Sequence, residues 1–247
     1  MSNYRDLINI TDDINEWGGK AILLSALIRQ GFNVPKGFVV SSKAYLKYFI
    51  GKEDTAAFEE QLHSLTNEYF GSENRFILRS SANIENTELF ASCGVFNSFI
   101  FDEKLSLVEN VERIWRAAQL KDTLYYLNSI GFPFEKVRLA IIVQELSVKK
   151  FTAVIQSYDI VNERDCIVVE YCKGNVNAIV DSCVDADLLY VDYSGNVIGE
   201  NGGDFPKKLL SRLCSEVKQM ELLCGSHVEI EAQIDESDIT YIQVRKN

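Results

Sequence analysis

His227-Val228-Glu229-Ile230-Glu231-Ala232-Gln233-Ile234, then Asp235-Glu236-Ser237-Asp238, then Tyr241-Ile242-Gln243-Val244-Arg245, is the stretch that decides the fold. From Val228 onward every even position is apolar and every odd one polar, the period of a strand with one buried face. An acidic turn and a second alternating run make an antiparallel hairpin. If Glu231 faces Gln243, then Glu229 faces Arg245, because both pairs sum to the same number. A slip by one residue would send these groups to opposite faces. Two carboxylates, an amide and a guanidinium then share one patch. Hard oxygen donors suit Mg²⁺, and an arginine fork suits a phosphoryl group. On the pattern alone, a solvated face with a cross-strand Glu–Arg pair of small energetic worth is the favoured alternative.

Outward from the hairpin, the preceding hundred residues read mostly as strands, at 139–144, 152–157, 166–171 and 188–193. A turn follows at Tyr193-Ser194-Gly195-Asn196 and a helix over 206–223 carries Leu209, Leu213, Val217 and Met220. The first half is more helical. Ala21, Leu24, Leu27 and Ile28 mark a helix over 20–29, stopped at Gly31. Val34-Pro35-Lys36-Gly37 is a turn before a short strand, Phe38-Val39-Val40. Ser41 and Ser42 can cap a helix bearing Tyr45, Tyr48 and Phe49. Further helices are predicted over 55–69 and 105–127, the latter with Val108, Val111, Trp115 and Ala118 on one stripe. Strands are predicted at 76–78 and 95–100. The order predicts an α+β protein of two packed lobes, about 1–135 and 136–247, forming a single domain.

Of the 247 residues, 47% are apolar and 25% charged, and the formal net charge is −11. Such a field repels a nucleic-acid backbone, and no basic run exceeds Lys149-Lys150 or Lys207-Lys208. No apolar stretch is long enough to span a membrane and the N-terminal residues lack a signal peptide's apolar run, so the cytoplasm is the expected compartment. Six scattered cysteines read as reduced, mostly buried thiols. Cys214, Cys224 and His227 form too incomplete a ligand set for a zinc site.

Two further clusters bear on chemistry. Arg79-Ser80-Ser81-Ala82-Asn83-Ile84-Glu85-Asn86 follows the strand ending at Leu78. Hydroxyls, amides and a guanidinium at a strand end make an anion-binding loop, although Ser- and Asn-rich loops are commonly plain turns. Gly18-Gly19-Lys20 opens the first helix, where free N–H groups and a lysine charge attract phosphate.

In this order the clusters resemble the N-terminal ATP-grasp domain shared by phosphoenolpyruvate synthase, pyruvate phosphate dikinase, glucan water dikinases and rifampicin phosphotransferase, here as a stand-alone chain. The matching residues are Gly18-Gly19-Lys20; Val34-Pro35-Lys36-Gly37-Phe38; Arg79-Ser80-Ser81-Ala82 running on to Gly94, Phe96, Ser98 and Phe99; Val143-Gln144-Glu145-Leu146; and Glu229-Ile230-Glu231 with Ile242-Gln243-Val244-Arg245. The resemblance implies an ATP-grasp-like fold with the nucleotide in the cleft between two lobes, and ATP and Mg²⁺ as cofactors. It implies that Lys20, Arg79 and Ser80 hold phosphate, and that Gln144, Glu145 and Leu146 form the adenine edge. Glu231, Gln243 and Glu229 would hold Mg²⁺ or its waters, and Arg245 would steady the phosphoryl group. Arg79, Glu231 and Arg245 would thus be catalytic. The implied activity is ATP cleavage with phosphoryl transfer to a histidine on a partner protein, or to a small acceptor. A nucleotide-sensing module without turnover and an acyl-phosphate-forming ligase are the alternatives. The chain departs from the family pattern at Gly174-Asn175-Val176-Asn177, where an acid is lost, and at Asn86. His63 and His227 match no phosphohistidine motif; His63 reads as a solvated side chain on a surface helix.

Overall fold

Three apolar runs, Gly37–Val40 (β2), Phe76–Ala82 (β3) and Leu139–Glu145 (β5), are buried almost throughout, which requires cover on both faces. In the computed structural model they form the centre of a five-stranded sheet. Its order is β1-β2-β5-β3-β4, with Tyr4–Asp6 as β1 and Ser98–Ile100 as β4 at the edges, and every pairing is antiparallel. The structure describes residues 4–51, 54–71, 75–85, 96, 98–174, 186–201 and 203–247. The expected contributions of Cys93, Gly94, Val95, Asn86, Cys183 and residues 175–177 lie outside these.

The helices Ile14–Arg29 (α1), Ser42–Phe49 (α2), Thr55–Phe70 (α3), Leu107–Ala117 (α4) and Lys121–Ser129 (α5) accompany this sheet. Ser41 caps α2, its hydroxyl accepting from the Lys43 N–H. Ser106 and Glu109 form a reciprocal capping box on α4. Trp115 on α4 lies parallel to Phe58 on α3, with ring centroids 6.0 Å apart. The single helix expected over 105–127 is in fact two, α4 and α5. The Ala117 carbonyl accepts from the Leu120 N–H at 3.2 Å in a tightened last turn and from the Thr123 hydroxyl at 3.1 Å, which closes α4 before α5 begins. The stripe Val108, Val111, Trp115 and Ala118 is buried as expected.

The second sheet runs β11-β10-β6-β7-β8-β9, wholly antiparallel. Its strands are Phe151–Gln156 (β6), Ile167–Lys173 (β7), Asp187–Val191 (β8), Val197–Asn201 (β9), Val228–Ile234 (β10) and Ile239–Lys246 (β11). One more helix, Leu210–Cys224 (α6), packs against β10 and β11 through buried Leu210, Leu213, Val217 and Met220. On β10, Val228, Ile230, Ala232 and Ile234 are buried. Each of the larger ones contributes roughly 1.5–3 kcal/mol by leaving water. The α+β class expected from the sequence is the one found.

By contacts the chain divides into two compact units: residues 1–29 with 35–146, and residues 30–34 with 147–247. The division falls after Leu146 rather than near 135, because β5 is the central strand of the first sheet, paired to both β2 and β3. In the second unit, Asn33 straps the segment 30–34 to the hairpin. Its side-chain amide donates to Asp238 at 2.6 Å and to the Ile239 carbonyl at 3.1 Å, while its carbonyl accepts from the Tyr241 N–H at 2.8 Å.

Candidate functional site

The first cluster is made where α1 crosses β3. Gly18 breaks α1 with φ 76° and ψ 164°, so a new helical run begins at Gly19. A Cβ on Gly18 would stand 2.1 Å from the Ser81 carbonyl oxygen, so close approach and backbone conformation both demand glycine. The Ser81 hydroxyl accepts from the Ala21 N–H at 3.0 Å and donates to the Trp17 carbonyl at 2.8 Å. A side chain sixty residues away thereby caps both halves of the broken helix.

This overturns one expectation: residues 79–82 are not a loop. Arg79, Ser80, Ser81 and Ala82 are the last four residues of β3, paired with Ile142, Ile141, Ala140 and Leu139. Arg79, Ser80 and Ser81 are buried, held by the sheet and by α1 rather than by a turn. The turn comes at Asn83–Glu85. Lys20, in the first turn of the second run of α1, reaches Glu85 with Nζ 2.7 Å from Oε1, and its Nζ lies 3.5 Å from the Ser80 hydroxyl. The other Glu85 oxygen accepts from the Ala82 N–H at 2.7 Å. The structure thus brings together Lys20, Ser80 and Glu85, with Arg79 next to Ser80 in the strand. Glu85 was not singled out from the sequence; it is the single carboxylate of the stretch 79–85, but a loop reading gives it no reason to turn back on Lys20.

The expected adenine edge is the C-terminal end of β5. The Gln144 side chain is buried and its amide donates to the Pro35 carbonyl at 2.9 Å. The Glu145 N–H donates to the Lys36 carbonyl at 2.9 Å and the Leu146 N–H to the Arg75 carbonyl at 3.0 Å. These contacts fix the Val34-Pro35-Lys36-Gly37 turn, and Gly37 is needed there because a Cβ would meet the Val143 carbonyl oxygen at 2.3 Å. Gln144, Glu145 and Leu146 are therefore adjacent and ordered, with the Gln144 amide and both N–H groups serving the sheet edge.

In the second unit the hairpin register is the one deduced: Glu229 opposite Arg245 and Glu231 opposite Gln243. Beyond Glu231 a bulge at Ile242 of β11 shifts the register by one residue, and Gln233 is buried, accepting from the Lys149 N–H at 2.7 Å. Pairing across β6 and β7 extends the face into two transverse rows. One reads Glu170, Val154, Glu231, Gln243, and the other Val168, Gln156, Glu229, Arg245. Arg245 donates to Glu229 in a short ion pair. Burial raises the Glu229 pKa above the ordinary carboxylate value, the neighbouring Glu231 charge raises it further, the Gln156 hydrogen bond offsets part of this, and Glu170 adds a smaller push. Burial likewise lowers the Arg245 pKa, though a guanidinium remains a cation.

Crowded carboxylates beside a neutral amide oxygen fit a hard divalent cation. Glu231 and Gln243 stand opposite one another on this face, and Glu229 is engaged by Arg245. Among the described residues no group of three or more His, Cys, Asp or Glu gathers as a metal cage. A cation here would keep several positions for water or phosphate oxygens, as Mg²⁺ characteristically does. Glu170 and Gln156 were missed because the 157–166 connection is too long for turn arithmetic to give the register of β6 and β7. Their signal was a polar side chain at an alternating position in an otherwise apolar run.

The remaining expectations resolve simply. Cys166, Cys172, Cys214 and Cys224 are free and buried. The His227 ring contacts Glu221 at 2.7 Å and stacks on Tyr158, and His63 pairs with Glu59 one turn earlier on α3. Among the described residues no helix is long and apolar enough to cross a membrane.

Residues 52–237 match the AMP/ATP-binding domain of pyruvate phosphate dikinase, and the chain belongs to that family. Glu85, Glu229 and Glu231 fall within the matched segment; Lys20, Gln243 and Arg245 lie outside it. Similar proteins include phosphoenolpyruvate synthase of Aeropyrum pernix, 25% identical over 220 residues, covering 72% of this chain and 27% of that protein. A probable phosphoenolpyruvate synthase of Archaeoglobus fulgidus is 25% identical over 258 residues, covering 85% and 33%. Rifampicin phosphotransferase of Bacillus subtilis is 22% identical over 218 residues, covering 73% and 25%. The chain spans only about a quarter to a third of the length of these relatives.

Proposed function

We propose that the chain binds Mg²⁺·ATP and transfers a phosphoryl group, either to a histidine on a partner protein or to a small acceptor. The observation that carries this is the Lys20–Ser80–Glu85 cluster beside Arg79 in a chain of the dikinase AMP/ATP-binding family. Lys20, Ser80 and Arg79 are assigned the phosphate oxygens, and Glu145 with Leu146 the adenine edge through their backbone carbonyls, since their N–H groups donate to Lys36 and Arg75. Gln144 supports that edge. Glu231 and Gln243 are assigned Mg²⁺ and its waters, with Glu229 positioning Arg245. Mg²⁺ supplies charge neutralisation of the phosphoryl oxygens when bound. The protein's own part is placement: phosphoryl transfer needs little covalent help, and fixed cations stabilise the charge spread over the moving group. Arg245 contributes a guanidinium held in direction by Glu229, which limits the side-chain freedom lost as the transition state forms.

The test is chromatography of the nucleotide pool after incubation with Mg²⁺·ATP and candidate acceptors. Release of AMP that depends on Glu231 and Arg245 is expected with the true acceptor, and little or none without it. ADP as sole product would point to a simple kinase or a ligase. Tight binding with no product under any condition would point to a nucleotide-sensing module.

A further inference from the structure

We propose that Glu85 is a positioning residue for nucleotide binding: it holds the Lys20 ammonium aimed at the phosphates before the ligand arrives. The inference rests on the phosphate assignment above. It starts from the donor count of Lys20. An ammonium has three N–H donors. One meets Glu85 at 2.7 Å and a second lies 3.5 Å from the Ser80 hydroxyl. The third has no partner among the described residues. With its side chain only 12% exposed, Lys20 is withdrawn from bulk water, so that remaining donor is available to an anion bound beside Ser80.

Glu85 is itself fixed. One oxygen holds Lys20, the other accepts from the buried Ala82 N–H at 2.7 Å, and its side chain is 7% exposed. The carboxylate is thus tied to the backbone at the end of β3, where Arg79 and Ser80 also lie. A lysine side chain has many rotamers, and a flexible one would lose that freedom on ordering around a ligand. Glu85 imposes that order in advance. It also balances the Lys20 charge at 2.7 Å.

Two consequences of opposite sign separate this role from its competitor. As a positioner, Glu85 strengthens phosphate binding. As a mere neighbouring anion, it weakens it. Glu85→Gln keeps an acceptor for the Ala82 N–H while removing the charge that draws Lys20. Mg²⁺·ATP and adenosine binding would be measured by calorimetry on wild type, Glu85→Gln, Lys20→Ala and the double variant. We expect Glu85→Gln to weaken Mg²⁺·ATP about tenfold, leave adenosine unchanged, and add no further loss in the Lys20→Ala background. Unchanged or tighter Mg²⁺·ATP binding by Glu85→Gln overturns the proposal, as does an equal loss for adenosine, which signals a folding defect instead. If Glu85→Gln does not fold, Glu85→Asp carries the same comparison, because it keeps the charge but withdraws it by one carbon. Wild type that binds no Mg²⁺·ATP overturns the phosphate assignment itself, a result distinct from normal wild-type binding with an insensitive Glu85 variant.

Discussion

In the first unit the residues suited to phosphate are also part of what holds the fold. Ser81 caps a broken helix, Glu85 accepts a strand-end N–H, and Arg79 and Ser80 are buried within a ladder. In the second unit the residues suited to a metal stand on one face of a hairpin whose opposite face supplies the core. Val228, Ile230 and Ile234 are buried in the core, while Glu231 and Gln243 stand opposite one another on the other face. The residues proposed for phosphate are interleaved with fold-holding contacts in one unit, and those proposed for the metal lie beside the core residues along the same strand in the other. Substitutions should therefore behave differently in the two places.

The sharpest break is expected at Gly18. An alanine there would need a left-handed backbone and would push a methyl into the Ser81 carbonyl. Gly18→Ala should cost about 3 kcal/mol or more, seen as lost soluble expression or a shifted urea midpoint. A midpoint within experimental error of wild type would mean that α1 does not need its close seat on β3.

The counterpart in the second unit is Glu231→Gln. It removes an anionic donor from a half-buried face without opening the core, so unfolding free energy should change by under about 1 kcal/mol. The stabilisation conferred by Mg²⁺·ATP should nevertheless fall sharply, read as a smaller rise in melting temperature. A large loss of intrinsic stability would contradict the separation of face and core.

The same contrast explains what was legible in the sequence. Alternation along Val228–Ile234 and over 242–245 sets Glu229, Glu231, Gln243 and Arg245 at polar positions, and pairing Glu231 with Gln243 carries with it that of Glu229 with Arg245. Nothing comparable marks 79–82. A run of Arg, Ser, Ser and Ala has weak strand propensity and reads as a loop; tertiary burial by α1 and the two strands flanking β3 makes it strand. Likewise the Ala117 carbonyl accepts from Leu120 and Thr123, a local helix closure that hydrophobic periodicity cannot register. Glu85 lay within a quoted motif, yet its partner Lys20 is 65 positions upstream, so only the fold could join them.

A smaller effect is expected on acidification. Asp192, held below the ordinary value chiefly by the Asn196 side chain, and Asp235, held down chiefly by the Ser237 N–H, both lie in the second unit. A depressed carboxylate contributes stability above its unfolded pKa, and that contribution is lost as pH falls through the folded value. Below an ordinary Asp value of 3.8, the second unit should therefore loosen. Trp17 and Trp115, the protein's two tryptophans, both report on the first unit. Loss of far-ultraviolet dichroism should precede the change in tryptophan fluorescence. Coincident transitions would show that the two units unfold together.

The most direct measurement is calorimetric titration of ATP into wild type, Lys20→Ala and Glu231→Gln, with and without Mg²⁺. Saturable binding by wild type is expected. Lys20→Ala should weaken it whether or not Mg²⁺ is present, and Glu231→Gln should weaken it only with Mg²⁺. No saturable binding by folded wild type at millimolar nucleotide, or binding indifferent to both substitutions, would contradict the assignment of phosphate to Lys20 and of Mg²⁺ to Glu231.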